Sequence, residues 1–152
     1  MKASIKVIVG LAVVLVSSFP TTSFSQDSGQ EGGSALPAVQ SQGQTEYITG
    51  GVGKGESDAI LRAGKSWPLT LELTQASGSA RPEYISEVQI TIKDKSGNAV
   101  LDTLADGPYV LVKLPPGKYS LDATYESKTL HRDLTIQQGQ SRKITLTWPG
   151  AK

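Results

Sequence analysis

The sequence predicts an all-β protein: a seven-stranded antiparallel two-sheet sandwich preceded by one short helix. Two observations predict the sandwich. Apolar residues recur with a period of two from Trp67 to Trp148, and turn-forming residues separate the alternating runs at short intervals. A third observation, a single capped apolar-faced segment at Ser57–Gly64, predicts the helix.

Leu69, Leu71 and Leu73 alternate with Thr70, Glu72 and Thr74, and Val88, Ile90 and Ile92 alternate with Gln89, Thr91 and Lys93. Tyr119, Leu121, Ala123 and Tyr125 form the next such series, and Ile144, Leu146 and Trp148 the last. Successive side chains of a strand point to opposite faces, so each run describes a strand with one buried and one wetted face. Lys95-Ser96-Gly97-Asn98 separates Val88–Asp94 from Val100–Ala105, and Asp106-Gly107-Pro108 leads into Tyr109–Leu114. Pro115-Pro116-Gly117-Lys118 turns into Tyr119–Tyr125, and Gln137-Gln138-Gly139-Gln140 lies between Lys128–Ile136 and Ser141–Trp148. Gly supplies positive φ and Pro fixes φ near −65° at such places. Glu126-Ser127 has the length of a two-residue hairpin but lacks the Gly or Asn that the favoured turn types prefer.

Ahead of the sandwich, Ser57 is expected to cap a helix through Asp58–Ala63, with Gly64 ending it. Ala59, Ile60 and Ala63 share the face that would dock. Gln26–Glu46, rich in Gln, Gly and Ser, reads as a disordered linker, because it buries too little apolar surface to offset its ordering entropy. Residues 1–25 read as a cleaved signal peptide. Lys2 and Lys6 precede the apolar Val7–Val16, and Ser23-Phe24-Ser25 offers small residues before the cut. The apolar run is shorter than the roughly 20 residues a membrane-spanning helix requires. The organisation expected is therefore signal peptide 1–25, linker 26–46, Gly-rich segment and helix 47–66, and sandwich 67–149, in a periplasmic protein.

Loss of Lys2 and Lys6 from the 15 basic residues leaves 13 against 14 acidic ones, a net charge of −1. That balance gives no electrostatic footprint for nucleic acid. There is no cysteine, so stability must come from packing without disulfides.

Ser86–Asp94, Asp106-Gly107-Pro108-Tyr109, Leu114-Pro115-Pro116-Gly117-Lys118-Tyr119 and Ala123 together resemble the carboxypeptidase regulatory-like domain. The resemblance spans Trp67 to Trp148 and implies a transthyretin-like sandwich. With Tyr47–Gly53 and the closing Trp-Pro, the chain is similar to small stand-alone exported proteins of Gram-negative bacteria. What the resemblance implies is an accessory module without an assigned activity.

The residues give little support to catalysis. Gly50-Gly51-Val52-Gly53-Lys54-Gly55 looks like a phosphate loop but has Ile48 where the first Gly belongs and Gly55 where Ser or Thr would hold magnesium. The segment reads as a flexible lead-in to the helix, or as a concavity of backbone N–H groups for a small anion. A single histidine, His131, is too few for an imidazole metal cluster, for a hydroxyisourate hydrolase or for an intradiol dioxygenase. It is expected to face solvent beside a neighbouring partner. No catalytic residue, cofactor or metal is expected. The leading expectation is a non-catalytic module that docks on another envelope protein through a sheet edge or its loop ends. Glycan binding by exposed aromatics is the alternative. The candidate contact residues are Trp67, Tyr109, Gly51, Gly53 and Lys54.

Overall fold

The computed structural model describes residues 35–150, which fold into two facing sheets with a helix on the outside of one of them. Among the described residues there are ten strands, three more than expected. They are β1 (Gln40–Gln42), β2 (Thr45–Gly50), β3 (Leu69–Gln75), β4 (Glu83–Tyr84), β5 (Val88–Asp94), β6 (Ala99–Ala105), β7 (Tyr109–Val112), β8 (Gly117–Tyr125), β9 (Lys128–Ile136) and β10 (Arg142–Trp148). The six-stranded sheet has the order β1-β2-β7-β3-β10, with β4 added to the far end of β3. The four-stranded sheet has the order β6-β5-β8-β9.

The three extra strands are β1, β2 and β4. Placing the fold's start at Trp67 therefore misses a hairpin at its N-terminal side, and residues 40–46 of the expected linker are ordered strand and turn. The expected signal peptide lies outside the described residues. β1 carries no apolar residue. It is held instead by side-chain amides: Gln42 Oε1 accepts from the Asp102 amide at 2.5 Å, its Nε2 donates to the Asp102 carbonyl at 3.2 Å, and the Tyr47 hydroxyl donates to Gln40 Oε1 at 3.1 Å. β10 runs parallel to β3, Arg142 opposite Leu69 through Trp148 opposite Gln75, so the sandwich is not wholly antiparallel. The cause is the crossing at Gln137–Ser141, which enters the six-stranded sheet at the end where β3 begins.

Alternation decides the core. Leu69, Leu71, Leu73, Val110, Val112, Leu146 and Trp148 face Val88, Ile90, Ile92, Leu101, Leu121, Ala123 and Leu134 in one buried cluster. The β8–β9 hairpin closes without glycine: Glu126 (φ +45°) and Ser127 (φ +66°) both take positive φ, the signature of a type I′ turn.

The helix α1 (Lys54–Gly64) starts three residues before the expected cap. Gly53 occupies the N-cap position, and Ser57 lies inside the first turns, its Oγ 2.6 Å from the Gly51 carbonyl and 2.8 Å from that of Gly53. A chain leaving β2 through Gly50 and Gly51, with φ of +152° and +97°, enters the helix earlier than Ser57 would allow as a cap. Ala59 and Ile60 do dock, as their spacing implied. Ile60 joins Ile48, Trp67, Tyr109 and Leu111 in a second apolar cluster on the outer face of the six-stranded sheet.

Candidate binding cleft

β2 ends in glycine because the backbone must pass close to two neighbours. A Cβ on Gly51 would lie 2.5 Å from Cδ2 of Tyr109, and one on Gly107 would strike the Gly50 backbone. The Asp106–Pro108 turn is pinned there by the Asp106 amide, which donates to Thr49 Oγ1 at 2.6 Å. Across from this crossing, β4 pairs with the end of β3 and brings Tyr84 beside Tyr109, ring centroids 5.7 Å apart.

Between Gly51–Gly53 on one side and Tyr84–Ser86 on the other lies a cleft of about 420 Å³, floored in part by Ile85 and Pro108. Its lips are apolar and open: Val52 is 67% and Tyr84 59% exposed.

Behind the cleft, Glu72 organises a polar network. Its Oε1 accepts from the Tyr109 hydroxyl at 3.3 Å and lies 3.5 Å from that of Tyr84. Its Oε2 accepts from Thr145 Oγ1 at 2.7 Å and pairs with Lys143 Nζ at 3.0 Å. Burial pushes the Glu72 carboxyl up. The hydroxyl of Thr145, the ammonium of Lys143 and the Tyr109 hydroxyl outweigh that and hold it below the usual carboxylate range. The Tyr109 hydroxyl is pushed well above its ordinary value by burial first, then by Tyr84 and Glu72. The network therefore fixes Tyr109 in its neutral, donating form and leaves Glu72 ionised.

The structure brings Gly51, Gly53 and Tyr109 to this one corner and leaves the other two candidates elsewhere. Lys54 points away from the cleft to pair with Asp58 at 2.9 Å. Trp67 sits beyond the other end of α1, beneath Lys113 Nζ at 4.9 Å from its ring centroid. Trp67 and Tyr109 are 7% and 3% exposed and so offer no face for the expected stacking on a sugar, whereas Tyr84 is open. Tyr109 lies behind the cleft, its ring against Gly51 and Tyr84, and is not part of its lining. The Gly51 amide, one of the backbone N–H groups expected to take a small anion, donates to Glu56 Oε1 at 2.6 Å.

Val52 was missed as a contact residue. The available signal was an apolar side chain set among glycines with no alternating partner on either side. Among the described residues, no group of three or more His, Cys, Asp or Glu has the arrangement to hold a metal ion. His131 is solvent-facing, with Nδ1 2.6 Å from Asp122 Oδ1 and Nε2 3.4 Å from Asp133 Oδ1.

Sheet edges are less open than a bare sandwich suggests. The Gln42 amide occupies the backbone of β6 at Asp102. Along β9, the carbonyl of Lys128 accepts from Trp148 Nε1 at 2.9 Å, that of His131 from Arg132 at 2.8 Å, and that of Thr135 from Arg142 at 3.3 Å. Part of the backbone that an added strand would pair along β6 and β9 is thus already engaged.

No protein-family model matches the chain, and no curated protein matches it.

Proposed function

We propose that this chain is an exported, non-catalytic interaction module that docks on another envelope protein through the Val52–Tyr84 cleft. The observation that carries the reading is the pair of exposed apolar side chains on opposing lips of one concavity. Such a pair offers a pocket for an apolar anchor of a partner. The loop end is favoured over strand addition because β6 and β9 have part of their edge backbone engaged. The resemblance to the carboxypeptidase regulatory-like domain supplies the class of module, and the two-sheet sandwich is compatible with it.

The test is site-specific photocrosslinking in the native envelope, with the probe at Val52, at Tyr84, and at Leu104 as control. Leu104 is 51% exposed and lies on the other sheet. One protein adduct shared by the first two positions and absent from the third is expected. Identical adducts at all three, or none at the first two, overturn the proposal.

A further inference from the structure

The edge of the six-stranded sheet at β10 differs from the edges at β6 and β9. In the parallel β3–β10 ladder the Arg142 amide donates to the Pro68 carbonyl, and the Trp148 carbonyl accepts from the Ala76 amide. Along a strand, successive residues turn their backbone groups to alternate sides. Arg142, Ile144, Leu146 and Trp148 are thus bonded to β3, and Lys143, Thr145 and Thr147 turn N–H and C=O to the other side. Among the described residues no second strand lies beside β10, and no hydrogen bond engages those outward groups. Such an edge is commonly blunted by a bulge, a proline or a charge. β10 has neither bulge nor proline: Arg142 to Trp148 pair with β3 without a register shift, whereas β6 has one at Ile92/Lys93 of its partner. The charges are turned aside. Lys143 Nζ reaches across its own sheet to Glu72 at 3.0 Å, and the Arg142 guanidinium donates to the Thr135 carbonyl at 3.3 Å.

What this edge fits is written in its own residues. The outward row ends at Pro149, which has no N–H to offer, and starts after Ser141, whose Oγ is tied to the Lys65 carbonyl. Thr145 is its midpoint. Turned end for end about Thr145, the stretch Lys143-Ile144-Thr145-Leu146-Thr147 is its own complement. Thr145 meets Thr145, Lys143 meets Thr147 and Ile144 meets Leu146, so polar residues oppose polar ones and apolar oppose apolar. No like charges stand opposite each other. Each outward residue then exchanges two backbone hydrogen bonds with its partner, which no other centre achieves for all three. Ile144, partly buried at the margin of the main core, gains cover. We infer that β10 pairs antiparallel with β10 of a second copy of this chain, about a two-fold axis at Thr145, joining two six-stranded sheets into one. β4 bonds to the opposite flank of β3, where the Ile85 amide donates to the Leu73 carbonyl, so the Val52–Tyr84 cleft lies away from this pairing.

The chain has no cysteine, so introduced cysteines read the register directly. Opposed residues of a hydrogen-bonded antiparallel pair have Cα atoms about 5.5 Å apart, within disulfide reach. In a glutathione redox buffer, Thr145→Cys should form a covalent dimer. Thr147→Cys alone should not, and its mixture with Lys143→Cys should give the mixed dimer. All three positions are exposed, and far-ultraviolet circular dichroism will show that each variant keeps its sheets. Sedimentation equilibrium of the unmodified chain, purified after export, should show monomer and dimer in exchange. Thr145→Lys, which sets like charges opposite each other, should weaken the dimer about tenfold. A monomer at every concentration, a dimer indifferent to Thr145→Lys, or cross-linking as strong with Thr147→Cys alone as with Thr145→Cys would each overturn the inference. None of these results bears on the crosslinks at Val52 and Tyr84.

Discussion

The outer faces of the two sheets are built from similar strands and meet different surroundings. On the six-stranded sheet, Ile48, Tyr109 and Leu111 point outward and are buried, because α1 lays Ile60 over them and Trp67 closes the gap. On the four-stranded sheet the outward positions of β5, β8 and β9 carry Gln89, Thr91, Asp122, Thr124, Thr129 and His131, and water covers them. The covered face can hold shape, since glycine loops and aromatic rings there are fixed against a packed layer. The Val52–Tyr84 cleft lies at its margin for that reason. The bare face is a solvated surface whose polar pairs are shallow.

Removing the cover is the most severe test of this contrast. Ile60 is fully buried, so Ile60→Ala should cost about 3 kcal/mol in denaturant unfolding, through lost transfer energy and the cavity left behind. Leu104→Ala, on the bare face, should change stability by no more than about 0.5 kcal/mol. Similar small losses for both would mean that the helix is not a packed layer.

The same contrast explains what was legible in the sequence. The alternating runs of Leu69–Leu73, Val88–Ile92 and Ile144–Trp148 give strands whose inner residues form the main core, because period-two burial is written locally. Alternation tells which face a residue takes, but not what covers that face. Tyr109 and Leu111 fall on the outer phase, and the expected exposure of Tyr109 failed because a helix from elsewhere in the chain covers that face. A local signal was present: Tyr109–Val112 is apolar at all four positions, the pattern of a strand buried on both sides. β1 and β4 left no comparable trace. Gln40–Gln42 is held by side-chain amides reaching Asp102, and Glu83–Tyr84 is two residues long. The cleft was half legible, through Gly51 and Gly53. Its lips depend on a β4 pairing that no periodicity announces.

Beneath the cleft, Glu72→Gln sharpens the comparison by leaving the apolar cover intact and weakening only the network under it. Loss of the charged acceptor for Thr145, Lys143 and Tyr109 should cost about 2 kcal/mol near neutral pH. The sign with pH follows from a carboxyl held below its unfolded value of 4.5. Its contribution is present above that value and is lost as pH falls through the lower folded pKa, so wild type and variant should converge in acid. Parallel unfolding curves at every pH would show that Glu72 contributes through packing alone.

The glycines of the cleft separate close approach from backbone freedom. Gly51→Ala meets both a positive φ and the Tyr109 ring, whereas Gly53, at φ +90°, has nothing within 4 Å of its added Cβ. Gly53→Ala should cost about 1 kcal/mol of backbone strain. Gly51→Ala should cost roughly 1 kcal/mol more, and near-ultraviolet circular dichroism should report the displaced tyrosine. Equal losses would remove the close contact from the account of the cleft.

The smallest expected effect is on the bare face, at His131. Its hydrogen bond to Asp122 is the largest influence and raises the imidazole pKa above 6.5; desolvation opposes it, and the charges of Asp122 and Asp133 add to the rise. A raised folded pKa means that the protonated pair favours the folded state. That contribution is fully present below pH 6.5 and is lost as pH rises through the folded value. An NMR titration of the His131 ring should show a midpoint above 6.5 that falls in Asp122→Asn and at high salt, because the pair is exposed and screened. The stability difference between wild type and that variant should be largest in acid, the reverse of the trend at Glu72. A salt-insensitive midpoint would place His131 in surroundings like those under the helix, and the distinction between the two faces would fail at that residue.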